Sequence, residues 1–244
     1  MKLLIIPPVS PSTDKITLPQ KDVHHIKTVL RKRTGDTLFL SDGTKIYRGI
    51  IETITDKEII VSDITVEKDA PQTTPLTLAH ALIKAPNLEL SLTKSVETGV
   101  ATYQPLITER CNMPSRDLVT RKQDRLLKKI DEAAKQCGRP TLMKLQDVLK
   151  LEQFLEEIQK EEGLKLFLDI TGEKNLSEMT EDIRQTTSIC LLIGAEGGFS
   201  DEEKQKIKDA GFIAVTCGDF LWRSETAVIV TTGFIQTVLA SEVS

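Results

Sequence analysis

The sequence predicts an α/β fold in two parts, a small β-barrel followed by a parallel sheet that helices cover on both faces. First, short β-rich segments separated by turn residues fill residues 1–72. Second, apolar strand-like runs alternate with helical patterns over residues 73–244, as they do in parallel sheets. Third, the length of 244 residues suits two domains, because about 100–200 residues per domain is usual.

Three strands and one helix are predicted in the first part. The helix is indicated by apolar side chains at helical spacing over residues 25–30, with Gly35 as its expected end. Asp42-Gly43 is a hairpin turn signal between two of the strands. A linker that contains proline and threonine follows at residues 70–75. The predicted strands cover residues 37–41, 45–51 and 58–64.

The second part shows apolar runs separated by helical patterns. Two helix starts have capping-box spacing, Thr120…Gln123 and Ser200…Glu203, and the first of these helices is expected to continue through Gln136 with one apolar stripe. Two other helices are expected to begin near Asn87 and Glu225, and a further helix that includes Leu151 is expected after Asp147. The predicted strands cover residues 76–83, 100–106, 164–169, 188–193 and 212–217.

The composition excludes several classes of protein. Apolar residues make up 39% and charged residues 28% of the chain, so wholesale disorder is excluded. No apolar run approaches the roughly 18 residues of a membrane helix, so we predict no membrane association. The four cysteines are spread without a C-x-x-C pair, and the three histidines show no ligand spacing. We therefore expect reduced thiols, a cytoplasmic location and no metal site.

Charge is distributed unevenly along the chain. The formal net charge is −4, which does not by itself indicate a nucleic-acid partner. Residues 105–150 nevertheless carry 11 lysines and arginines against 6 acidic residues, while residues 151–203 carry 4 against 14. Such asymmetry can leave a basic face on an acidic protein.

A glycine-rich loop at residues 193–200 (IGAEGGFS) connects a predicted strand to a helix start. In open α/β sheets ligands bind at the carboxyl ends of strands, and glycines let the backbone approach a ligand closely. The loop lacks the spacing of both common phosphate motifs, and the Glu196 carboxylate would repel phosphate. A neutral or cationic ligand suits it better, and a plain turn is the alternative interpretation.

A second loop at residues 217–227 (CGDFLWRSETA) also connects a strand end to a helix. Because both loops follow strands of one sheet, we expect them to meet at one crevice. Arg223 and Glu225 flank the helix start. The alternative is that Glu225 only complements the helix dipole and Arg223 pairs with a surface carboxylate.

Together the loops resemble the C-terminal signature of the RsmE family, SPOUT-class RNA methyltransferases that modify N3 of a uridine in 16S ribosomal RNA. The chain departs from the family pattern at Ala195, Phe220 and Trp222. Three upstream blocks also resemble the family: residues 25–31 (HIKTVLR), residues 94–100 (KSVETGV) with Glu109-Arg110-Cys111, and residues 132–139 (EAAKQCGR).

The resemblance implies a PUA-like, RNA-binding β-barrel over residues 1–72. It also implies a SPOUT methyltransferase domain over residues 73–244 with a C-terminal trefoil knot. The cofactor would be S-adenosylmethionine (SAM), and the partner would be 16S ribosomal RNA or the small ribosomal subunit. The family is homodimeric, and the helix over residues 227–239 has more aliphatic residues than one buried face needs, so we expect a homodimer through it.

The implied reaction needs a uracil that has lost its N3 proton, and a guanidinium beside O2 or O4 would stabilise the resulting anion. Arg223 is our first candidate for that role, and either water or Glu225 would take the proton. The resemblance itself assigns the cofactor-binding residues. The two loops and the end of the strand at 164–169 would bind SAM. The predicted cofactor-binding residues are Leu168, Ile193, Gly194, Glu196, Gly197, Gly198, Cys217, Gly218, Leu221 and Trp222.

RNA contacts are predicted at arginines. Arg121 and Arg125 should share one helix face, for which a solvated surface is the alternative, and Arg31 and Arg33 should form a basic patch on the barrel. The family blocks indicate three more, Arg110, Arg116 and Arg139. The alternative function is that of an RNA-binding, ribosome-associated module that has lost methyl transfer, suggested by the departures from the family pattern.

Overall fold

The computed structural model describes residues 3–10, 13–112 and 116–241. It divides into two compact units, the first comprising Met1–Gln72 with Ala134–Leu142, and the second comprising Thr73–Ala133 with Met143–Ser244. Each unit has its own apolar core. The fold is mixed α/β, as predicted, with an antiparallel-rich sheet in the first unit and a parallel sheet in the second.

The first unit contains a five-stranded sheet of order β1-β3-β4-β5-β2. Its pairs are antiparallel except β1 with β3. The side chains of one face enclose a core that includes Leu18, Leu40 and Ile59. The strands are β1 (Leu3–Ile5), β2 (Ile16–Pro19), β3 (Thr37–Ser41), β4 (Lys45–Ile54) and β5 (Glu58–Asp69).

The helix of this unit differs from the prediction. It consists of α1 (Gln20–His24) and a following π-helical turn (His25–Val29), so it begins earlier and ends well before Gly35. The reason is Arg31, whose φ of 54° leaves the helical region. The N–H of Lys32 then donates back to the carbonyl of Ile26 at 3.0 Å, which satisfies one of the last carbonyls of the helix.

Residues 134–142 belong to the first unit although they lie far along the chain. Lys135 is buried there and donates to Asp22 of α1 at 2.8 Å. A buried ion pair is costly to break, because removing one partner leaves the other charge without compensation. This pair therefore fixes the segment against α1.

The second unit contains an eight-stranded sheet of order β11-β13-β10-β12-β6-β7-β8, with β9 paired to β7. Its strand pairs are parallel. The strands are β6 (Leu76–Ala81), β7 (Thr102–Ile107), β8 (Lys144–Leu145), β9 (Leu149–Lys150), β10 (Leu164–Leu168), β11 (Lys174–Asn175), β12 (Ile189–Ile193) and β13 (Ile213–Thr216).

Helices alternate with these strands, and a short 3₁₀ helix (Leu176–Met179) precedes one of them. The five long predicted strands are present with ends shifted by a few residues, because burial rather than local propensity decides where pairing stops. The helices are α2 (Ala85–Glu97), α3 (Arg116–Arg121), α4 (Gln123–Cys137), α5 (Leu151–Ile158), α6 (Thr180–Gln185), α7 (Asp201–Asp209) and α8 (Ser224–Ala240).

Two predicted helix starts were wrong. Asn87 does not cap α2, which has Lys84 as its N-cap and Pro86 in its first turn, where the missing N–H of proline has no cost. Thr120 lies inside α3 rather than at a cap, and α4 begins at Gln123 after a bend. The helix predicted to follow Asp147 is present as α5, with β9 before it and Lys150 as its N-cap.

Candidate active site

A cavity of about 410 Å³ lies at one edge of the parallel sheet. Segments that follow β10, β12 and β13 form most of its wall. Because β10 lies between the other two strands and all three are parallel, their carboxyl ends meet at the same edge. The two loops therefore stand on either side of the end of β10 and enclose a cleft above it.

The cavity brings together most of the residues predicted to bind a cofactor. Gly218 does not line it. With a φ of 96° it forms the turn after β13, and its carbonyl accepts a hydrogen bond from Thr216 Oγ1 at 3.1 Å. The predicted residues that do line the cavity are Leu168, Ile193, Gly194, Glu196, Gly197, Gly198, Cys217, Leu221 and Trp222.

The loop after β12 is folded tightly back on itself. The N–H of Gly198 donates to the carbonyl of Ala195 at 2.9 Å, and Gly198 has a φ of 67°, which favours glycine. A Cβ atom at Gly194 would lie 3.1 Å from the Cα of Gly198. Glycine at position 194 is thus what allows the two ends of the loop to approach each other.

The predicted capping box at the start of α7 is confirmed. Ser200 Oγ accepts from the N–H of Glu203 at 3.3 Å, and Glu203 Oε2 accepts from the N–H of Ser200 at 3.0 Å. The second carboxylate oxygen accepts from the N–H of Glu109 at 2.7 Å. Glu203 is buried, so its carboxylate fixes the end of the glycine loop to the segment after β7.

Arg110, which also lines the cavity, holds the same loop through its guanidinium. Its Nη1 donates to the carbonyl of Gly197 at 2.9 Å and approaches that of Phe199 at 3.4 Å. The sequence indicated Arg110 as an RNA contact but gave no signal for this bond, because the two residues lie 87 positions apart. The guanidinium has further N–H donors for other partners.

An ion pair lies on the β10 side of the cavity. Lys204 Nζ approaches Asp169 Oδ2 at 2.7 Å, and the hydroxyl and N–H of Thr171 both donate to Oδ1. Burial alone would raise the pKa of Asp169, but the bonds from Lys204 and Thr171 lower it overall. Asp169 and Lys204, which both line the cavity, therefore present a charged, hydrogen-bonded pair to a ligand.

Arg223 and Glu225, the predicted catalytic residues, flank the start of α8. Arg223 is the N-cap residue, is exposed, and makes no ion pair within the part of the chain that the structure describes. Glu225 is 8% exposed, and its Oε2 has no hydrogen-bond partner among the described residues. Neither residue lines the cavity, although Ser224 between them does.

A buried histidine behind the cavity was not predicted from the sequence. His80, near the end of β6, is wholly buried. Its Nδ1 lies 2.5 Å from the hydroxyl of Tyr103, and its Nε2 lies 2.8 Å from Ser224 Oγ. Ser224 Oγ in turn donates to the carbonyl of Gly194 at 2.6 Å. A lone histidine in an apolar strand gave no sequence signal for these contacts, since its partners are distant in sequence.

His80 makes stability depend on pH. Burial lowers its pKa from 6.5 to about 3, so the unfolded chain takes up a proton at a pH where the folded chain does not. Stability is therefore lost as the pH falls below about 6.5. Between pH 7 and pH 5 the wild type should lose roughly 2 kcal/mol through this group.

The measurement is the free energy of unfolding in urea at both pH values. His80→Gln has no titrating ring and should show a pH dependence smaller by that amount, while the carboxylates of the protein contribute equally to both proteins. Equal pH dependence in wild type and variant would contradict the expectation.

Two family models match the chain. Residues 70–236 match a model described as an RNA methyltransferase domain, and residues 18–64 match one described as an RNA methyltransferase PUA domain. A ribosomal RNA small subunit methyltransferase E (RsmE) from Synechocystis sp. is 29% identical, with 98% of this chain and 78% of that protein covered. The chain belongs to the RsmE family of RNA methyltransferases.

Solved structures of similar proteins agree with this assignment to the RsmE family. A ribosomal RNA small subunit methyltransferase E from Neisseria gonorrhoeae, bound to SAM, is 25% identical with a TM-score of 0.83, and 98% of each chain is covered. A putative methyltransferase from Legionella pneumophila, in complex with SAM, is 30% identical with a TM-score of 0.82, and 97% of each chain is covered.

The arginines predicted to bind RNA in this RsmE-family chain fall in both units. In the first unit, Arg31 and Arg33 are exposed beside Lys27 and Lys32, and these four side chains line a second cavity. Arg139 belongs to the same unit but is half-buried, and burial lowers its pKa. Its Nε approaches Thr141 Oγ1 at 3.3 Å.

The prediction that Arg121 and Arg125 share one helix face was wrong, because a bend at Lys122 separates α3 from α4. Arg121 pairs with Asp117 at 3.5 Å, and Arg125 pairs with Glu89 at 2.7 Å. Both arginines are exposed, so these pairs contribute little to stability and leave the charges available to RNA. Arg116 begins α3, but its side chain lies outside the described residues.

Of the departures from the RsmE pattern, Ala195 lies in the loop after β12, and Phe220 and Trp222 lie in the loop after β13. Phe220 is 82% exposed and Leu221 is 78% exposed, while Trp222 is half-buried against the cavity. Cys217 also lines the cavity, and burial raises its pKa to about 11, so it is a neutral thiol near pH 7. This wall of the cavity is thus apolar and uncharged.

The described part of the chain contains no cluster of three or more histidine, cysteine or acidic side chains that could hold a metal ion. Within the same residues no helix has the length and apolar character needed to cross a bilayer.

Proposed function

We propose that this protein is a SAM-dependent methyltransferase that acts on N3 of a uridine in 16S ribosomal RNA. The observation that supports it most is the cavity where the loops after β12 and β13 meet above the end of β10. Its family assignment and the SAM-bound relatives point the same way.

The residues around the cavity fit SAM. A volume of about 410 Å³ lies in the usual range for small-molecule sites, roughly 300–1,000 Å³. Apolar side chains such as Leu168, Ile193 and Leu221 suit an adenine ring, and the Glu196 carboxylate suits a cation. The backbone groups of residues 193–198 and 217–222 would hold the adenine. Bound SAM would supply a methyl group already activated by its sulfonium.

The protein must then promote loss of the N3 proton, so that the uracil of the RNA carries a negative charge at N3. Arg223 is exposed next to the cavity-lining residues Trp222 and Ser224, so its planar fork is free to donate to O2 or O4 of the base. Such a donor stabilises charge as it develops. Because Glu225 is buried and does not line the cavity, we assign removal of the N3 proton to water.

The two units would have different functions. We assign residues 1–72 to a PUA-like barrel that binds RNA, in which Arg31 and Arg33 contact phosphates together with Lys27 and Lys32. Residues 73–244 would form the SPOUT domain, with its C-terminal chain in a trefoil knot. Arg110, Arg116, Arg121, Arg125 and Arg139 are the further proposed RNA contacts. A protein that acts on the small ribosomal subunit would work in the cytoplasm.

Cofactor binding should be measurable without RNA. Trp222 is the single tryptophan of the chain and lines the cavity, so its fluorescence should change in a saturable way when SAM or S-adenosylhomocysteine is added. Calorimetry should give the same affinity. ADP is the matched control, because it has the same adenosine but carries phosphates that Glu196 should repel. Absence of SAM binding at millimolar ligand would favour the RNA-binding module without methyl transfer.

The reaction itself is tested with small ribosomal subunits from a strain that lacks this gene. Purified protein and SAM should convert one uridine of the 16S RNA to 3-methyluridine, which mass spectrometry of nucleosides separates from 5-methyluridine and 2′-O-methyluridine. Methylation at another atom would refute the N3 assignment but not the methyltransferase. Binding of SAM without any methylation of the RNA would refute the proposal that 16S ribosomal RNA is the substrate.

The protein should sediment as a homodimer at micromolar concentration. The solvent-facing stripe of α8 includes Thr226, Val230 and Thr237, and after Glu225 this helix carries no charge, which is typical of a covered face. Val230→Asp should therefore produce a monomer. Val66→Asp alters another exposed valine, in β5, and should leave the dimer intact. A wild-type monomer would refute the proposal.

A further inference from the structure

Four polar groups behind the cavity form one continuous hydrogen-bonded chain. It runs from the Tyr103 hydroxyl to His80 Nδ1, from His80 Nε2 to Ser224 Oγ, and from Ser224 Oγ to the carbonyl of Gly194. Tyr103 and His80 are wholly buried and Ser224 is almost so. This hydrogen-bonded chain connects the neighbouring strands β7 and β6 to the N-terminus of α8 and to Gly194 of the glycine loop.

The direction of every proton in this chain is determined. A carbonyl oxygen only accepts, so the single hydroxyl proton of Ser224 points to Gly194. Ser224 Oγ must then accept from His80, which places the imidazole proton on Nε2. His80 is neutral because burial lowers its pKa to about 3, so Nδ1 has a free lone pair and accepts from the Tyr103 hydroxyl. No other arrangement of the protons satisfies all four groups.

We propose that His80 is a positioning residue for methyl transfer, acting through Ser224 on the glycine loop and on Arg223. The proposal rests on the function proposed above. Ser224 adjoins Arg223 and holds Gly194, so its hydroxyl fixes the loop after β12 relative to the start of α8. Ser224 can rotate unless something else holds its oxygen, and the Nε2–H of His80 supplies that constraint.

The test compares His80→Leu with His80→Gln. Leucine cannot donate to Ser224, and it leaves the Tyr103 hydroxyl unsatisfied. Glutamine carries a donor and an acceptor at nearly the separation of the two ring nitrogens, and it should restore both bonds. Ser224→Ala and Ser224→Thr form a second pair that breaks or keeps the hydroxyl with a smaller change. Tyr47→Phe removes another largely buried hydroxyl, one that bonds Asp42 in the first unit, and is the control.

Hydrogen exchange of the ligand-free protein is the first readout. His80→Leu and Ser224→Ala should speed exchange in the peptides that contain residues 194–199 and 222–227, whereas His80→Gln, Ser224→Thr and Tyr47→Phe should not. SAM affinity is the second readout. It should fall roughly 10-fold in the first two variants, because binding must then also order the loosened glycine loop, and it should recover in the conservative variants.

Whether the losses of SAM affinity in the two single variants add up in the double variant distinguishes a positioning role from general destabilisation of the fold. Because His80 acts through Ser224, the double variant His80→Leu/Ser224→Ala should lose no more affinity than the larger single loss. Additive losses, or equal effects of leucine and glutamine at position 80, would overturn the proposal, as would unchanged exchange in both loops. If the wild type does not bind SAM, the proposed function fails, and hydrogen exchange still decides whether His80 positions the loops.

Discussion

Arg223→Ala is expected to lower the single-turnover rate of methyl transfer by roughly 100- to 1000-fold, the usual cost of removing one donor from an anion-stabilising site. The affinity for SAM should stay nearly constant, because Arg223 does not line the cavity. Its contribution is largest in the transition state, where the uracil carries negative charge, so the rate rather than binding should fall. The measurement is the rate at saturating RNA and SAM, with affinity followed through Trp222.

Arg223→Lys should recover little of that rate. An ammonium keeps the charge but cannot present a planar pair of donors to the pyrimidine edge. The backbone at position 223 has the extended geometry of an N-cap, with a φ of −64° and a ψ of 149°, and its side chain makes no capping bond among the described residues. Lysine therefore does not disturb the start of α8, and the comparison isolates the guanidinium.

Arg121→Ala and Arg125→Ala are the matched controls, since they also remove one exposed arginine each. If they contact phosphates, they should weaken RNA binding, lower its salt dependence and leave the saturated rate unchanged. An Arg223→Ala protein with the wild-type single-turnover rate would exclude this residue from the mechanism. Glu225 would then be tested next, as Glu225→Gln.

Local signals explain which parts of the architecture the sequence predicted. The capping box at Ser200 and Glu203 depends on residues three apart, and apolar runs such as residues 188–193 have few structural alternatives. The short strands β1, β2, β8, β9 and β11 were not predicted, because they form only through pairing with distant partners. The Asp22–Lys135 ion pair likewise joins residues 113 positions apart.

The same distinction applies to the candidate site. The loops at 193–200 and 217–227 were found because each carries its glycines and helix start in one short stretch. His80 was not found, since its bond to Ser224 spans 144 residues and its own neighbours are apolar. Arg110 was found as a basic residue in a family block, but its contact with Gly197 depends on tertiary packing that no spacing encodes.

Gly194→Val is expected to weaken SAM binding roughly 10- to 100-fold, because overpacking of a tight site costs about 1–3 kcal/mol. A Cβ there would lie 3.1 Å from the Cα of Gly198 and 3.2 Å from its carbonyl carbon. These are backbone atoms of the same loop, and they cannot move aside as a flexible side chain can. The loop must open, and the backbone groups proposed to hold the adenine are then displaced from their binding positions.

Gly197→Val is the matched substitution three residues later. Gly197 also lines the cavity, but the atoms nearest to its added Cβ would belong to the side chain of Arg110, with Cδ at 3.3 Å and Cβ at 3.4 Å. No backbone atom of the loop is among them, so the loop itself is less disturbed than by a Cβ at position 194. Calorimetric titration of both variants with SAM should therefore give a much larger loss at position 194 than at position 197. Equal affinities in the two variants would mean that the close approach of Gly194 to Gly198 does not shape the cofactor site, and that the ligand binds to other groups of the cavity.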